Sequence, residues 1–157
     1  LVYYFVIRMI TATGVRVSEL VTFQVEDVHQ GYKDIYSKGD KMRRVYIPSR
    51  LKEELLKWPE FAARKSGVLF LNRFGAPVTP SGVRTRLKTF AARYGLDPEV
   101  MYPHSFRHRF AKNFIEACGD IAFLSDLLGH ESIETTRIYL RRSSAEQYRI
   151  VNKVVDW

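Results

Sequence analysis

Two runs that alternate apolar and polar residues, Asp34-Ile35-Tyr36 and Arg44-Val45-Tyr46-Ile47, constrain the fold of this chain more than any other feature. They are joined through Ser37-Lys38-Gly39-Asp40-Lys41, so they close as one antiparallel β-hairpin with a basic tip. Residues 68–71 offer one further short strand, ended by the turn Arg73-Phe74-Gly75-Ala76-Pro77. Elsewhere the apolar residues recur at helical spacing between glycine and proline breaks. The expected class is therefore mainly α with a small antiparallel β-hairpin sheet, an α+β chain. At 157 residues and 46% hydrophobic content, it is expected to form one folded domain with a buried core.

Residues 1–11 read as a helix that is apolar all round apart from Arg8. A bilayer span needs about 20 such residues, so this is a buried helix rather than a membrane anchor. Because the chain starts without methionine and inside that apolar run, it is expected to be a fragment from which an N-terminal partner domain is missing. Gly14 breaks the first helix before a second over residues 15–23, which puts Arg16 and Glu19 one turn apart. Ser49 is expected to cap a helix running to Trp58, with Leu51, Leu55 and Leu56 as its buried stripe. Thr79 as N-cap, Pro80 at the first helical position and Gly95 at the end define a helix over residues 80–94. Its exposed face carries Arg84, Arg86, Lys88 and Arg93.

Residues 104–117 form a strong helical pattern whose core side is marked by Phe106, Phe110 and Phe114, with His104 and Arg107 on the neighbouring side. Cys118, the single cysteine, is read as a small core residue; alone it excludes an internal disulfide and points to a reducing, intracellular setting. Another helix runs from Asp120 to Leu128 and closes at Gly129, after which Ser132 is expected to cap a helix carrying Thr135 to Leu140. The break decides which side chains can meet. Nine residues of straight helix turn through about 900°, which would set His130 and Tyr139 on opposite faces. With His130 in the turn instead, both can reach one site. Ser143 and Glu146 then form a capping-box pattern for a last helix with Tyr148, Val151, Val154 and Val155 on its apolar side.

Lysine and arginine total 25 against 17 acidic residues, a net charge of +8 that favours a polyanionic partner. A phosphodiester under attack builds negative charge on its oxygens, and fixed donors aimed there supply the largest catalytic contribution. Arg16 and Arg107 suit that role because a guanidinium stays charged and binds oxygens in a planar fork. His104 and His130 can donate or move protons near neutral pH. Tyr139 is the candidate nucleophile, its phenol pKa expected to fall beside two arginines. Lys38, at the hairpin tip, is the candidate acid for the leaving sugar oxygen. Each has a plainer reading: Arg16 as a helix ion-pair partner of Glu19, Lys38 as a solvated tip, His104 as a capping group, His130 as a turn residue, Tyr139 as a packed aromatic. His29 reads as a loop residue and His108 as a structural neighbour of the site.

Thr13-Gly14-Val15-Arg16-Val17-Ser18-Glu19-Leu20, the Lys38-Gly39 hairpin, His104-x-x-Arg107-His108, and Leu127-Leu128-Gly129-His130 with Tyr139 nine residues later occur in that order. This succession resembles the motifs of the phage integrase (tyrosine recombinase) family over residues 1–140. The resemblance implies the tyrosine recombinase catalytic-domain fold and a catalytic set of Arg16, Lys38, His104, Arg107, His130 and Tyr139, with Glu19 in support and no cofactor or metal. It implies cleavage and rejoining of double-stranded DNA through a 3′-phosphotyrosine, by a homo-oligomer assembled as a tetramer around two duplexes. An N-terminal core-binding domain would complete the DNA clamp, the terminal helix would dock on a neighbouring protomer, and accessory DNA-bending or excision factors are further partners. Lys41, Arg43, Ser81 and Arg84 are candidate DNA contacts. Phe106, Arg109 and Ser37 depart from the residues common in the family at those positions.

The expected function is thus a bacterial or phage-encoded, cytoplasmic integrase of a prophage or mobile element, with a chromosome-dimer resolvase as the nearest alternative. A non-cleaving DNA-binding module of the same fold and a type IB topoisomerase remain as rival readings. The four histidines lack the paired spacing and acidic neighbours of a metal site.

Overall fold

The computed structural model describes residues 1–37, 41–130 and 133–157, and shows short helices around one two-stranded sheet. The order is α1 (Val2–Thr13), α2 (Val17–Leu20), α3 (Val25–Gln30), β1 (Tyr32–Ser37), β2 (Lys41–Tyr46), α4 (Ser49–Leu56), α5 (Pro59–Ala62), α6 (Pro80–Tyr94), α7 (Pro103–Ala117) and α8 (Ile121–Leu128). Then α9 (Ile133–Arg137) passes into a 3-10 turn (Ile138–Leu140) before α10 (Ser144–Val154). The mainly helical class with one antiparallel hairpin is the one expected. No helix among the described residues is long and apolar enough to cross a membrane.

The hairpin pairs Tyr32 with Tyr46 through to Ser37 with Lys41. Its alternation sorts the cations. Arg44 lies opposite Asp34, donates to it at 2.8 Å and covers the Tyr32 ring at 3.9 Å. Arg43 shares the other face with Ile35 and the buried Val45, and so points toward the core. Residues 68–71 form only isolated bridges, Gln24 to Val68 and Leu71 to Pro77, rather than a strand.

Helix ends follow local chemistry where a side chain can reach. Thr79 Oγ1 accepts from the Gly82 N–H at 3.0 Å, with Pro80 at the first helical position. Ser143 Oγ accepts from the Glu146 N–H at 3.2 Å. Ser49 differs from expectation: it is the first residue of α4, Pro48 occupies the cap position, and no side chain caps that end. Leu51 and Leu55 of α4 are buried, but Leu56 is exposed because the helix stops there.

Among the described residues, two apolar clusters make the interior. The larger joins α1 to α6 and the hairpin through Met9, Leu20, Phe23, Val45, Leu55, Phe70 and Leu87. The smaller contains Ala111, Ile115, Leu124 and Leu128, with Phe110, Phe114, Ile121 and Tyr139 packed on it. Helix α7 straddles them: Phe106 packs on the first, Phe110 and Phe114 on the second. These three phenylalanines are only partly buried, contrary to the expected core stripe. The buried line is Pro103, Arg107, Ala111 and Ile115, one position further round the helix, because α1 and α8 both press on α7 along it. Cys118, expected in the core, ends α7 and is exposed.

Gly14 permits this close approach. It sits at φ +72°, and an added Cβ would overlap the Phe110 ring and stand 2.9 Å from Leu128 Cδ2. The apolar side of α10 remains exposed, with no buried residue along the helix.

Candidate active site

Arg107 lies at the seam between the two clusters and is only 4% exposed. A guanidinium cannot be buried there without hydrogen-bond acceptors. The chain supplies them at the ends of two helices: Nη1 donates to the Gly14 carbonyl at 2.5 Å and Nη2 to the Leu128 carbonyl at 2.7 Å. Helix C-termini leave such carbonyls unpaired and carry partial negative charge, so a cation suits them. One side chain therefore ties the segment leading to Arg16 to the turn carrying His130. Each terminal nitrogen keeps a second N–H. With Arg16, Ser18, Arg84, Tyr102 and His104, Arg107 lines a cleft of about 280 Å³. Burial, then the Arg16 and Arg43 charges, lower its pKa to about 10 against the pull of Glu19 and Tyr139, which leaves it cationic at neutral pH.

Arg16 precedes α2 and is largely exposed, its guanidinium 3.6 Å from Glu19. The Glu19 carboxylate accepts from the Arg16 backbone N–H at 2.8 Å, which fixes the start of α2. It also takes both ends of the Arg43 fork, at 2.5 and 2.7 Å. Burial raises the Glu19 pKa, but the Arg43 hydrogen bonds, the Arg16 N–H and the two guanidinium charges outweigh it and hold the group below its ordinary value. Arg43 Nε donates to the Leu127 carbonyl at 3.1 Å. Here the structure departs from the expected DNA contact. The Arg43 side chain is 12% exposed and bound on the inner face of the hairpin, where it joins β2 to α2 and α8. Gly129, at φ +70°, lies against it: a Cβ there would stand 2.7 Å from Arg43 Cδ. Lys41 remains exposed on the groove beside Arg16 and His130. Lys38 lies outside the described residues, as does Ser132.

His130 follows the left-handed Gly129, and its Nδ1 pairs with the buried Thr136 hydroxyl at 2.6 Å, which fixes the ring. Desolvation, followed by the Arg107, Arg16, Arg43 and His108 neighbours, pushes its pKa down to about 4. At neutral pH it is therefore uncharged, rather than titrating there as expected. Tyr139 lies in the 3-10 turn, and its hydroxyl hydrogen-bonds His108 Nδ1. The phenol pKa is raised, because burial outweighs the lowering by Arg107. This corrects the expectation that arginines would depress it. His108 also titrates below its ordinary value through burial and the His104 and Arg107 charges. The His104 ring stands 4.2 Å from it, edge to face.

The structure thus gathers Arg16, Arg84, His104 and Arg107 on one cleft, with Tyr139 reaching the same region through His108. Ser81 and Arg84 are exposed on α6, but Arg86 is occupied by the Phe90 ring at 5.1 Å and the Tyr3 ring at 5.8 Å. Three residues were undervalued in the sequence. His108 falls four positions after His104, on the same helix face. Thr136 sits one turn before Tyr139, a spacing too common to single out. Arg43 alternates with Val45, a signal that it faces inward. Among the described residues, no group of three or more His, Cys, Asp or Glu is placed to hold a metal ion.

Comparison with known proteins identifies the family of the chain. The sequence model of the phage integrase family matches residues 1–146. The chain is 29% identical to tyrosine recombinase XerD of Staphylococcus haemolyticus, over 94% of this chain and 52% of the relative. It is 34% identical to XerD of Corynebacterium glutamicum, over 85% of this chain and 46% of the relative. Among solved structures, the XerH site-specific recombinase bound to difH substrate superposes with a TM-score of 0.74 at 26% identity, over 96% of this chain and 46% of that one. The Tn1549 transposon integrase with circular intermediate DNA gives 0.77 at 18% identity, over 96% and 59%, a likeness of fold. The chain spans about half the length of the curated relatives it matches. Covered by the family's sequence model for almost its entire length, and sharing its fold with solved recombinases, the chain belongs to the phage integrase family.

Proposed function

We propose that this chain acts in site-specific DNA recombination, cutting and rejoining double-stranded DNA through a 3′-phosphotyrosine at Tyr139. The observation that carries this is the cleft: Arg16, Arg84, His104 and Arg107 line one opening, and the Tyr139 phenol hydrogen-bonds His108, the next residue after Arg107. In the proposed reaction the phenol oxygen attacks the scissile phosphorus, the bond to the 5′ oxygen breaks, and a proton reaches that oxygen from Lys38. Arg16 and Arg107 neutralise charge on the phosphoryl oxygens, and His104 donates a hydrogen bond to them. His130, uncharged and held by Thr136, serves as a hydrogen-bonding group rather than a cation. Glu19 acts on Arg16 and Arg43, and Lys41, Ser81 and Arg84 bear on the duplex backbone. The phosphotyrosine conserves the bond energy, so the released 5′ hydroxyl can attack it and reseal the strand.

Assembly on DNA as a tetramer is part of the proposal. The exposed apolar side of α10 supports docking on a neighbouring protomer. Relatives at 29–34% identity are named XerC and XerD, so the proposal is site-specific recombination, not the integration of a prophage or mobile element in particular.

The test is covalent capture from a pool of nicked duplexes randomised around the nick, in EDTA because the charge neutralisation is assigned to guanidiniums. Protein-linked strands sharing a common sequence, absent with Tyr139→Phe, are the expected result. Binding without linkage would make the chain a non-cleaving DNA-binding module instead.

A further inference from the structure

We propose that His108 is a catalytic residue of this site, its Nδ1 taking the phenolic proton of Tyr139 as the phenol oxygen attacks phosphorus, and returning it when the strand is resealed. This rests on the phosphotyrosine reading above, which leaves open where that proton goes. His108 Nδ1 bonds the hydroxyl that would attack, with the two rings 5.5 Å apart. His108 directly follows Arg107 on α7, so one helix carries both the guanidinium and the imidazole. The His104 ring packs edge-on against it at 4.2 Å. The other imidazole on this side, His130, has its Nδ1 engaged by Thr136.

Protonation states agree with the geometry. Burial and the neighbouring His104 and Arg107 favour neutral His108, which keeps a lone pair available. Burial also disfavours a free phenolate at Tyr139, so the phenol proton must leave as attack proceeds. The step balances: the O–H bond breaks and an N–H bond forms on His108, while the O–P bond forms and the P–O5′ bond breaks. Imidazolium and phosphotyrosine result, and the leaving oxygen takes its proton from the separate acid. In the reverse step the imidazolium protonates the departing phenolate. The groups facing His108 during titration are His104, Arg107, His130 and Tyr139.

The experiment measures the rate of covalent linkage to a nicked duplex recovered by the selection above, for the unaltered protein, His108→Gln and His108→Ala, from about pH 5 to about pH 9. Glutamine can share a hydrogen bond with the phenol but cannot take its proton. The expected loss for His108→Gln is about 100-fold or more near neutrality, recovering by about tenfold per pH unit as hydroxide and phenolate replace the base. Added imidazole should restore part of the rate to His108→Ala. Replacing the 5′ bridging oxygen by sulfur, a leaving group that needs no proton, should leave the His108 variants slow, because their defect is on the nucleophile's side. A pH-independent loss without imidazole rescue would make His108 merely structural and overturn the proposal. Variants that react as fast as, or faster than, the unaltered protein would show instead that the contact parks the phenol. Linkage surviving Tyr139→Phe, or absent from the unaltered protein, would sink the phosphotyrosine reading itself, a failure distinct from either His108 outcome.

Discussion

Replacing Arg43 by methionine keeps most of its aliphatic stem and removes three hydrogen bonds: two to Glu19 at 2.5 and 2.7 Å and one to the Leu127 carbonyl at 3.1 Å. All three have the charged guanidinium as donor, and such a bond contributes about 1.5–3 kcal/mol, an upper figure of about 4.5–9 kcal/mol. Two features reduce it. Glu19 keeps the Arg16 N–H at 2.8 Å and its guanidinium at 3.6 Å, and with 14% of its side chain exposed it remains within reach of water. The expected loss is about 2–4 kcal/mol, a large part of the roughly 5–15 kcal/mol that holds a domain together. Urea unfolding at an unchanged m-value measures it. In the methionine background, Glu19→Gln should cost less than in the unaltered protein, by about 1 kcal/mol or more. Lys41→Ala should instead stay within about 0.5 kcal/mol in stability and reduce the salt slope of DNA binding by about 1. A loss below about 0.5 kcal/mol for Arg43→Met would show that the buried fork does not hold the hairpin to α2 and α8.

Other substitutions separate local from shared causes. Gly14→Ala should destabilise by about 2–4 kcal/mol, from the positive φ plus overlap with Phe110 and Leu128. Gly31→Ala, with nothing within 4 Å of the added Cβ, should cost only about 1–2 kcal/mol, and paired thermal melts compare them. His130 and His108 both titrate below their ordinary value, so the unfolded chain takes up protons first on acidification. Their stabilising effect is complete above about pH 6.5 and lost as pH falls below it, levelling for His130 near pH 4. Glu19, also depressed, adds a separate loss below its ordinary value of 4.5. Urea midpoints of the protein and of His130→Gln across this range should differ in slope between about pH 6.5 and 4. Val151→Asp on α10 should change stability by no more than about 0.5 kcal/mol, since it is exposed, while weakening assembly on DNA in analytical centrifugation.

The sequence was most legible where structure is set by neighbours in the chain. Thr79, Pro80 and Gly95 mark the bounds of α6 because capping acts over three or four residues. The hairpin follows from alternation, and the turn at Gly129 does take His130 out of the helical stretch that leads to Tyr139. Features set by distant partners were not legible. Alternation with Val45 turns Arg43 inward, but its partners there, Glu19, 24 positions away, and Leu127, 84 away, cannot be read from its neighbours in the chain. The phenylalanines of α7 are more apolar than Arg107, yet Arg107 holds the buried line because the Gly14 and Leu128 carbonyls meet it there. For the same reason, counting arginines near Tyr139 predicts the wrong direction for its pKa: burial, which sequence does not reveal, is the larger effect. Cys118 was misplaced because apolar neighbours in sequence do not fix which side of a helix end faces solvent.

The central claim is that Tyr139 forms the bond to DNA, and the most direct measurement is the mass of the linked peptide. After covalent capture, nuclease digestion and trypsin cleavage, the peptide Ile138-Tyr139-Leu140-Arg141 is predicted to carry a nucleotide remnant whose fragmentation places it on the phenol oxygen. A remnant on any other residue, or captured strands with this peptide unmodified, would contradict it.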